Sequence, residues 1–317
     1  MKKTYSRSIV LLLIAGLQLL LSSCGEQDPK LNTATSGRLL VLVDEMYEPL
    51  IRELADTFMS RTPARTVTVQ PMQPRAAVQE LINRHLSDTI ASDTAISVAI
   101  IIGRELLEDE QQAIRERQLN LLDKKIGYDG LAVVVPTSSP LQETSLERLK
   151  DALATPDRTA NAFQEGTGNE VQRFLFTDPN SSAYSFIRSF LKIDSGSTGP
   201  ARFYKTSDSV LDAVARGEGI AVMGWYPAHR DSTRVRTLKM GFTDSANVQH
   251  PPVPVHTATL VMKQYPVKLP IAGYTFSGVN SLANGFLTWL AVGQDAQEEL
   301  ARRGIEPENL RFRFTTE

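Results

Sequence analysis

The chain of 317 residues is poor in the residue types that announce most chemistry. It has one cysteine, two tryptophans and four histidines, and aromatic residues make up only 7% of it. A lone cysteine excludes an internal disulfide, so the fold must be held by its core. The histidines, His85, His229, His250 and His256, stand in no HExxH spacing. With no Cys/His metal spacing and no glycine fingerprint for a nucleotide, neither metal nor cofactor is expected. No Ser, His and Asp set announces an enzyme, and "GTG" at 166–168 is too common to indicate a nucleotide site. An excess of positive charge is missing too: 34 Lys and Arg stand against 36 Asp and Glu, a formal charge of -2. Such a surface does not attract nucleic acid.

What is present begins with a basic start, Lys2, Lys3 and Arg7, followed by an apolar run over 9–21 broken only by Gly16 and Gln18. That run is too short to span a bilayer comfortably. It ends in "LSSC", 21–24, which resembles the lipobox of bacterial lipoproteins. The resemblance implies a signal peptide over 1–23 and acylation of Cys24 as the new N-terminus. Acyl chains anchor a protein by roughly 0.8 kcal/mol per buried methylene and need no transmembrane helix. The chain is then a lipid-anchored protein of the cell envelope, facing the periplasm or the cell surface. Loss of Lys2, Lys3 and Arg7 moves the formal charge from -2 to -5. Residues 24–36, "CGEQDPKLNTATS", are polar without an apolar period and read as a flexible tether.

The remainder, about 290 residues, exceeds what one core usually covers, and two lobes are expected. Strand and helix signals alternate, which favours an α/β fold with mostly parallel strands. Residues 39–43 form a continuous apolar run, as in a strand covered on both faces. Pro49 then stands where a first helical residue belongs, with Leu50, Leu54 and Phe58 at a spacing of four. The same plan recurs with strands at 66–70 and 97–102 and helices at 76–86 and 107–118. Further strands are expected at 130–136, 219–225 and 269–276. Helices are expected at 144–153, 162–176, 184–191, 209–216, 280–291 and 294–303. Residues 227–254 are polar and Pro-rich, without a clear signal. The charge-rich "EDEQQAIRER", 108–117, reads as a solvated helix face.

Ligands of α/β sheets sit beyond the carboxyl ends of the strands. The loops at those ends carry Asp44, Glu45 and Met46 after the first strand, Gln73 and Arg75 after the second, and Gly103 and Arg104 after the third. Asp44 and Glu45 either line a cleft or make hydrogen bonds at the start of the Pro49 helix, which acids favour. Arg104 is either a ligand-binding guanidinium or a salt-bridge partner of Asp44 or Glu45.

Several stretches resemble the phosphate-binding proteins of high-affinity phosphate ABC importers. They are "IGYDGLAVVVPTSSPLQETSLERLKDAL", "VAIIIGRELLEDEQ", "GIAVMGW" and the end of the chain from "YPVKLPIAGYTF" to "ELARRGIEP". Their shared order covers nearly everything from 38 to 307. The resemblance implies a two-lobed type II periplasmic-binding-protein fold, each lobe a mostly parallel sheet flanked by helices, with a solute cleft between. Lobe 1 would comprise 37–136 and 226–317, and lobe 2 would comprise 137–225. It also implies a monomer that binds phosphate or a related oxyanion, closes on it and docks on an ABC permease, without catalysis.

Two features of that family are changed. Its members carry a Ser-Ser-Thr-like loop after the first strand, where this chain has Asp44, Glu45 and Met46. They also carry an Arg ahead of a GSGT turn, where this chain has Phe163 ahead of Gly166, Thr167, Gly168 and Asn169. Asn169 and Thr167 are ordinary helix caps and serve a fold or a ligand equally well. Like charges 4 Å apart oppose each other by about 4 kcal/mol at the effective dielectric of a cleft, and a phosphate dianion doubles that. Two ionised carboxylates facing phosphate would be hard to offset. Either the acids are turned aside and neutralised, or the ligand is not the free dianion. The alternative function is an envelope or surface lipoprotein that uses the cleft for sensing or protein contact, without high-affinity phosphate binding.

Overall fold

The computed structural model describes residues 32–88, 96–154, 173–193, 201–230 and 232–309. In chain order the strands are β1 (Gly37–Asp44), β2 (Arg65–Met72), β3 (Ser97–Ile102), β4 (Leu122–Pro136), β5 (Glu143–Ser145), β6 (Phe174–Phe176) and β7 (Ala201–Phe203). They continue with β8 (Ile220–Gly224), β9 (Val235–Thr237), β10 (Lys239–Thr243), β11 (Gln249–Val253), β12 (Lys268–Thr275) and β13 (Glu306–Pro307). The helices are α1 (Glu48–Ser60), α2 (Pro74–Asp88), α3 (Glu108–Glu116), α4 (Leu146–Ala154) and α5 (Ser182–Leu191). After them come α6 (Ser207–Ala215), α7 (Trp225–Arg230), α8 (Thr257–Val261), α9 (Leu282–Val292) and α10 (Gln294–Arg302).

A curled mixed sheet runs in the order β2-β1-β3-β12-β4-β8-β6-β7. Its first half has β1 parallel to β2 and β3, so the loops after these three strands gather at one end. The halves share β4. Up to Gly130 it pairs with β12; from Leu131 to Val134 it pairs with β8, and its last residues pair with β9. β4 therefore carries the chain from one lobe to the other without a break in the ladder. β9 pairs with the last residues of β4, and β10 joins β11 and β5 in a small second sheet.

Side-chain alternation on β1 explains its two-sided burial. Leu39, Val41 and Val43 enter one core with Leu50, Leu54, Phe286 and Leu290, whereas Leu42 enters another with Ala77, Leu81, Ile100 and Tyr274. Each fully buried aliphatic chain of this kind contributes about 1.5–3 kcal/mol. Three sequence expectations need correction. β4 begins at Leu122, eight residues before the expected start. Phe174–Phe176 is a strand between β8 and β7, not the end of a helix. The stretch 227–254 holds three strands. No helix among the described residues is long and apolar enough to cross a membrane.

Candidate functional site

The paired acids at the end of β1 meet the N-termini of α5 and α6, helices that pack on β8 and β6. Asp44 is buried and caps the short 3-10 turn Glu45–Tyr47, accepting from the Met46 N–H at 3.4 Å. It also accepts from the Gly103 N–H at 3.4 Å and from the hydroxyl of Ser182, the first residue of α5. The Gly103 N–H donates in addition to Ser182 Oγ at 3.1 Å. Here β3 and α5 approach so closely that a Cβ on Gly103 would lie 2.8 Å from the Tyr47 ring and 3.1 Å from Ser182 Cβ.

Glu45 reaches further across. Its Oε1 accepts from both the backbone N–H and the hydroxyl of Ser207, at 2.8 and 2.6 Å, over 162 positions of sequence. Ser207 is the first residue of α6, whose N-cap Thr206 accepts from the Ser209 N–H at 3.2 Å. A helix start offers free N–H groups and a partial positive charge, so both acids sit where an oxyanion is favoured.

A third acid, Asp129 on β4, lies beneath them. It is fully buried and accepts from the Tyr226 N–H at 3.2 Å and from the Tyr47 hydroxyl at 3.3 Å. Gly224 at the end of β8 leaves no room there, since a Cβ would stand 2.4 Å from Asp129 Oδ2 and 3.1 Å from the Met46 sulfur. Burial pushes all three carboxyls up. Asp44 rises against the hydrogen bonds from Ser182, Met46 and Gly103. Glu45 rises to about 7 by burial, opposed by Ser207 and reinforced by repulsion from Asp44 and Asp208. Asp129 rises to about 7, again by burial, against the bonds from Tyr226, Gly130 and Tyr47.

The other expected residues are placed differently. Arg104 does not neutralise Asp44 or Glu45 by a salt bridge. It is 2% exposed and binds Glu110 through both terminal nitrogens at 2.7 Å, with a further bond to the Glu105 carbonyl at 2.9 Å. Its Nε is buried and meets no acceptor among the described residues. Glu110 also accepts from the Leu107 N–H at 2.9 Å, so this member of the charge-rich helix faces inward, contrary to a wholly solvated face. Gln73 precedes α2 and accepts from the Ala77 N–H through its carbonyl at 2.9 Å. Its side-chain Oε1 is buried and meets no donor among the described residues. Arg75 is exposed and paired with Asp109. Met46 is buried against Gly224. Gly166, Thr167, Gly168, Asn169 and Cys24 lie outside the described residues.

Ser182, Ser207 and Asp129 escaped the sequence reading. The cap residues Ser181 and Thr206 were the available signal, because each announces a helix start one residue before the serine that meets an acid. Missed as well was a cavity of about 520 Å³ between Leu107 and α5, lined by Pro179, Tyr184, Ser185, Arg188 and Lys192 among others. It is flanked by Arg188 of α5 and by Lys192, the residue that ends that helix. Among the described residues no group of histidine, cysteine and acid side chains could hold a metal ion.

Comparison with known proteins gives one family and a set of folds. A family profile described as a PBP superfamily domain matches residues 29–293. A putative phosphate ABC transporter substrate-binding protein from Clostridium perfringens, solved with bound phosphate, is similar at a TM-score of 0.66 and 14% identity. The match covers 85% of this chain and 99% of that one. An ABC-type phosphate transport receptor from Vibrio cholerae is similar at 0.60 and 15% identity, over 85% and 99% of the two chains. OxyR from Corynebacterium glutamicum, a C206 mutant, is similar at 0.54 and 13%, over 96% of this chain and 77% of that one. No curated protein matches. At these identities the solved structures establish a shared fold.

Proposed function

The chain belongs to the PBP superfamily domain family, and from that premise we propose that it is an extracytoplasmic solute-binding protein, lipid-anchored through Cys24. Its solute is a small oxyanion, phosphate first by resemblance, taken between the lobes and presented to an ABC permease. One observation carries this reading. The N–H and hydroxyl donors at the starts of α5 and α6, with the Gly103 N–H, converge on carboxylate oxygens at the carboxyl end of β1. Donors that hold a carboxylate fit the oxygens of a phosphate or of a carboxylate solute equally well.

A second reading, sensing or protein contact without tight phosphate binding, is favoured by the fact that the same donors are already engaged by Asp44 and Glu45. Calorimetric titration of the full chain in detergent, at neutral pH, separates the two. Saturable one-to-one heat is expected with phosphate or another member of a panel of small oxyanions and carboxylates. Silence across the panel would overturn the solute reading in favour of the second.

A further inference from the structure

Glu45 sits in the first lobe, yet its carboxylate is held by the second, at the first turn of a nine-residue helix. The contact is short, two-pronged and made to a serine that is itself 4% exposed. Nothing local requires it. Asp44 already caps the 3-10 turn, and Pro49 starts α1 without help from a Glu45 side chain. In a protein whose lobes close on a solute, such a contact does what the solute does: an acidic group bridges donors of one lobe to the strand ends of the other.

We propose that Glu45 is a tethered competitor for the interlobe site. Its carboxylate occupies the Ser207 donors in the empty protein, holds the lobes together, and must leave before an anionic solute can take them. The proposal rests on the reading of the cleft as a solute site and adds its regulation. Other groups facing Glu45 agree with a group that can be displaced. Asp44 and Asp208 both repel its charge, and the guanidinium of Arg104 is bound to Glu110 rather than to Glu45.

The test is titration of inorganic phosphate, and separately succinate, into the full chain and into four variants at pH 7.5. Glu45→Ala is expected to bind at least one of these anions tenfold or more tightly than the wild type, and Glu45→Gln to bind no more tightly than the wild type, because Gln keeps an acceptor on Ser207 without the charge that Asp44 and Asp208 repel. A Gln variant that bound tenfold more tightly than the wild type would overturn the competitor, which holds the test open should the alanine variant fold poorly. Adding Ser207→Ala to Glu45→Ala removes the hydroxyl donor and should reverse most of the gain. Asp208→Asn removes a neighbouring charge without touching the Ser207 contact and should change affinity less than threefold. Equal binding by wild type and both Glu45 variants would overturn the competitor while leaving the solute site standing. A gain in Asp208→Asn as large as in Glu45→Ala would also overturn it, because charge alone would then account for the effect. Absence of binding in every protein would overturn the proposal and the oxyanion reading together.

Discussion

Arg104→Ala is expected to destabilise the protein by about 3–5 kcal/mol, the usual consequence of removing one partner of a buried ion pair. Arg104 is 2% and Glu110 6% exposed, and two bonds of 2.7 Å join them. Without the guanidinium, Glu110 stays buried with the Leu107 N–H as its one remaining donor among the described residues. Replacing both at once, Arg104→Met with Glu110→Leu, should recover most of the loss, because two well-packed apolar chains carry no desolvation cost. About 1 kcal/mol should stay lost, since the Leu107 N–H then has no carboxylate to cap it. Urea unfolding checks this, with the slope held constant as evidence that only stability moved. A single variant within about 0.5 kcal/mol of wild type would mean that the pair is open to water, against the burial that explains why Arg104 is not free for Asp44 or Glu45.

The second large effect is on pH. The sign follows from proton counting. Glu45 and Asp129 have native values of about 7, above their ordinary 4.5 and 3.8, so between those limits the folded state binds more protons than the unfolded one. Stability therefore falls as pH rises through that window, by about 1.4 kcal/mol per pH unit for each group. Asp44 acts in the same direction. The opposite class, Asp109, Glu147, Glu218 and Asp244, is held low by Arg75, the Thr243 N–H, Tyr204 and His250 respectively. Their contribution is present above the ordinary carboxylate range and disappears as pH falls below it. Maximum stability is thus expected on the acid side of neutrality, near about pH 5. Thermal melts from pH 4 to 8 test this. A midpoint that rises steadily from pH 5 to 8 would contradict the buried, proton-hungry environment assigned to Glu45 and Asp129.

The same linkage bears on function. Glu45 resembles an ordinary carboxylate only when it leaves Ser207 for water. Raising the pH through 7 therefore disfavours its docked position and favours displacement by a solute. Acid should tighten the self-occupied form.

Much of the frame was readable in the residues. The continuous apolar runs of β1 and β3, Pro49 at the start of α1 and the cap signals placed the first three strand ends, and with them the acids, at one edge of a sheet. What stayed hidden had physical causes. Asp123, Lys124 and Lys125 disguise the first half of β4, whose outer face is solvated there while the ladder to β12 is kept. Prolines 251 and 252 within β11 and Pro254 just after it mask the strand, which can hold its two because it is an edge strand and lacks a neighbour on one side. Three apolar residues at Phe174–Phe176 are too few to distinguish a buried strand from a helix end.

The site was legible only on one side. Asp44 and Glu45 stood out because acids are unexpected where the related family has hydroxyls, but their partners belong to helix starts 138 and 162 positions away. The expected starts at 184 and 209 left Ser182 and Ser207 in loops, two residues short of their role. Arg104 looked like the natural neutraliser because it is near in sequence. Glu110 claims it because a residue at the third position of α3 points back toward the loop that precedes the helix.

The Glu45 carboxylate lies on Ser207, 162 positions away in sequence. A carbon-13 titration of the side-chain carboxyls of the full chain, with Glu45 assigned by Glu45→Gln and the Ser207 amide followed alongside, reads that contact. A Glu45 midpoint of about 7 is expected, with a Ser207 amide signal that moves with it. A midpoint at the ordinary 4.5 with a Ser207 amide that does not respond would mean that the carboxylate is free in water.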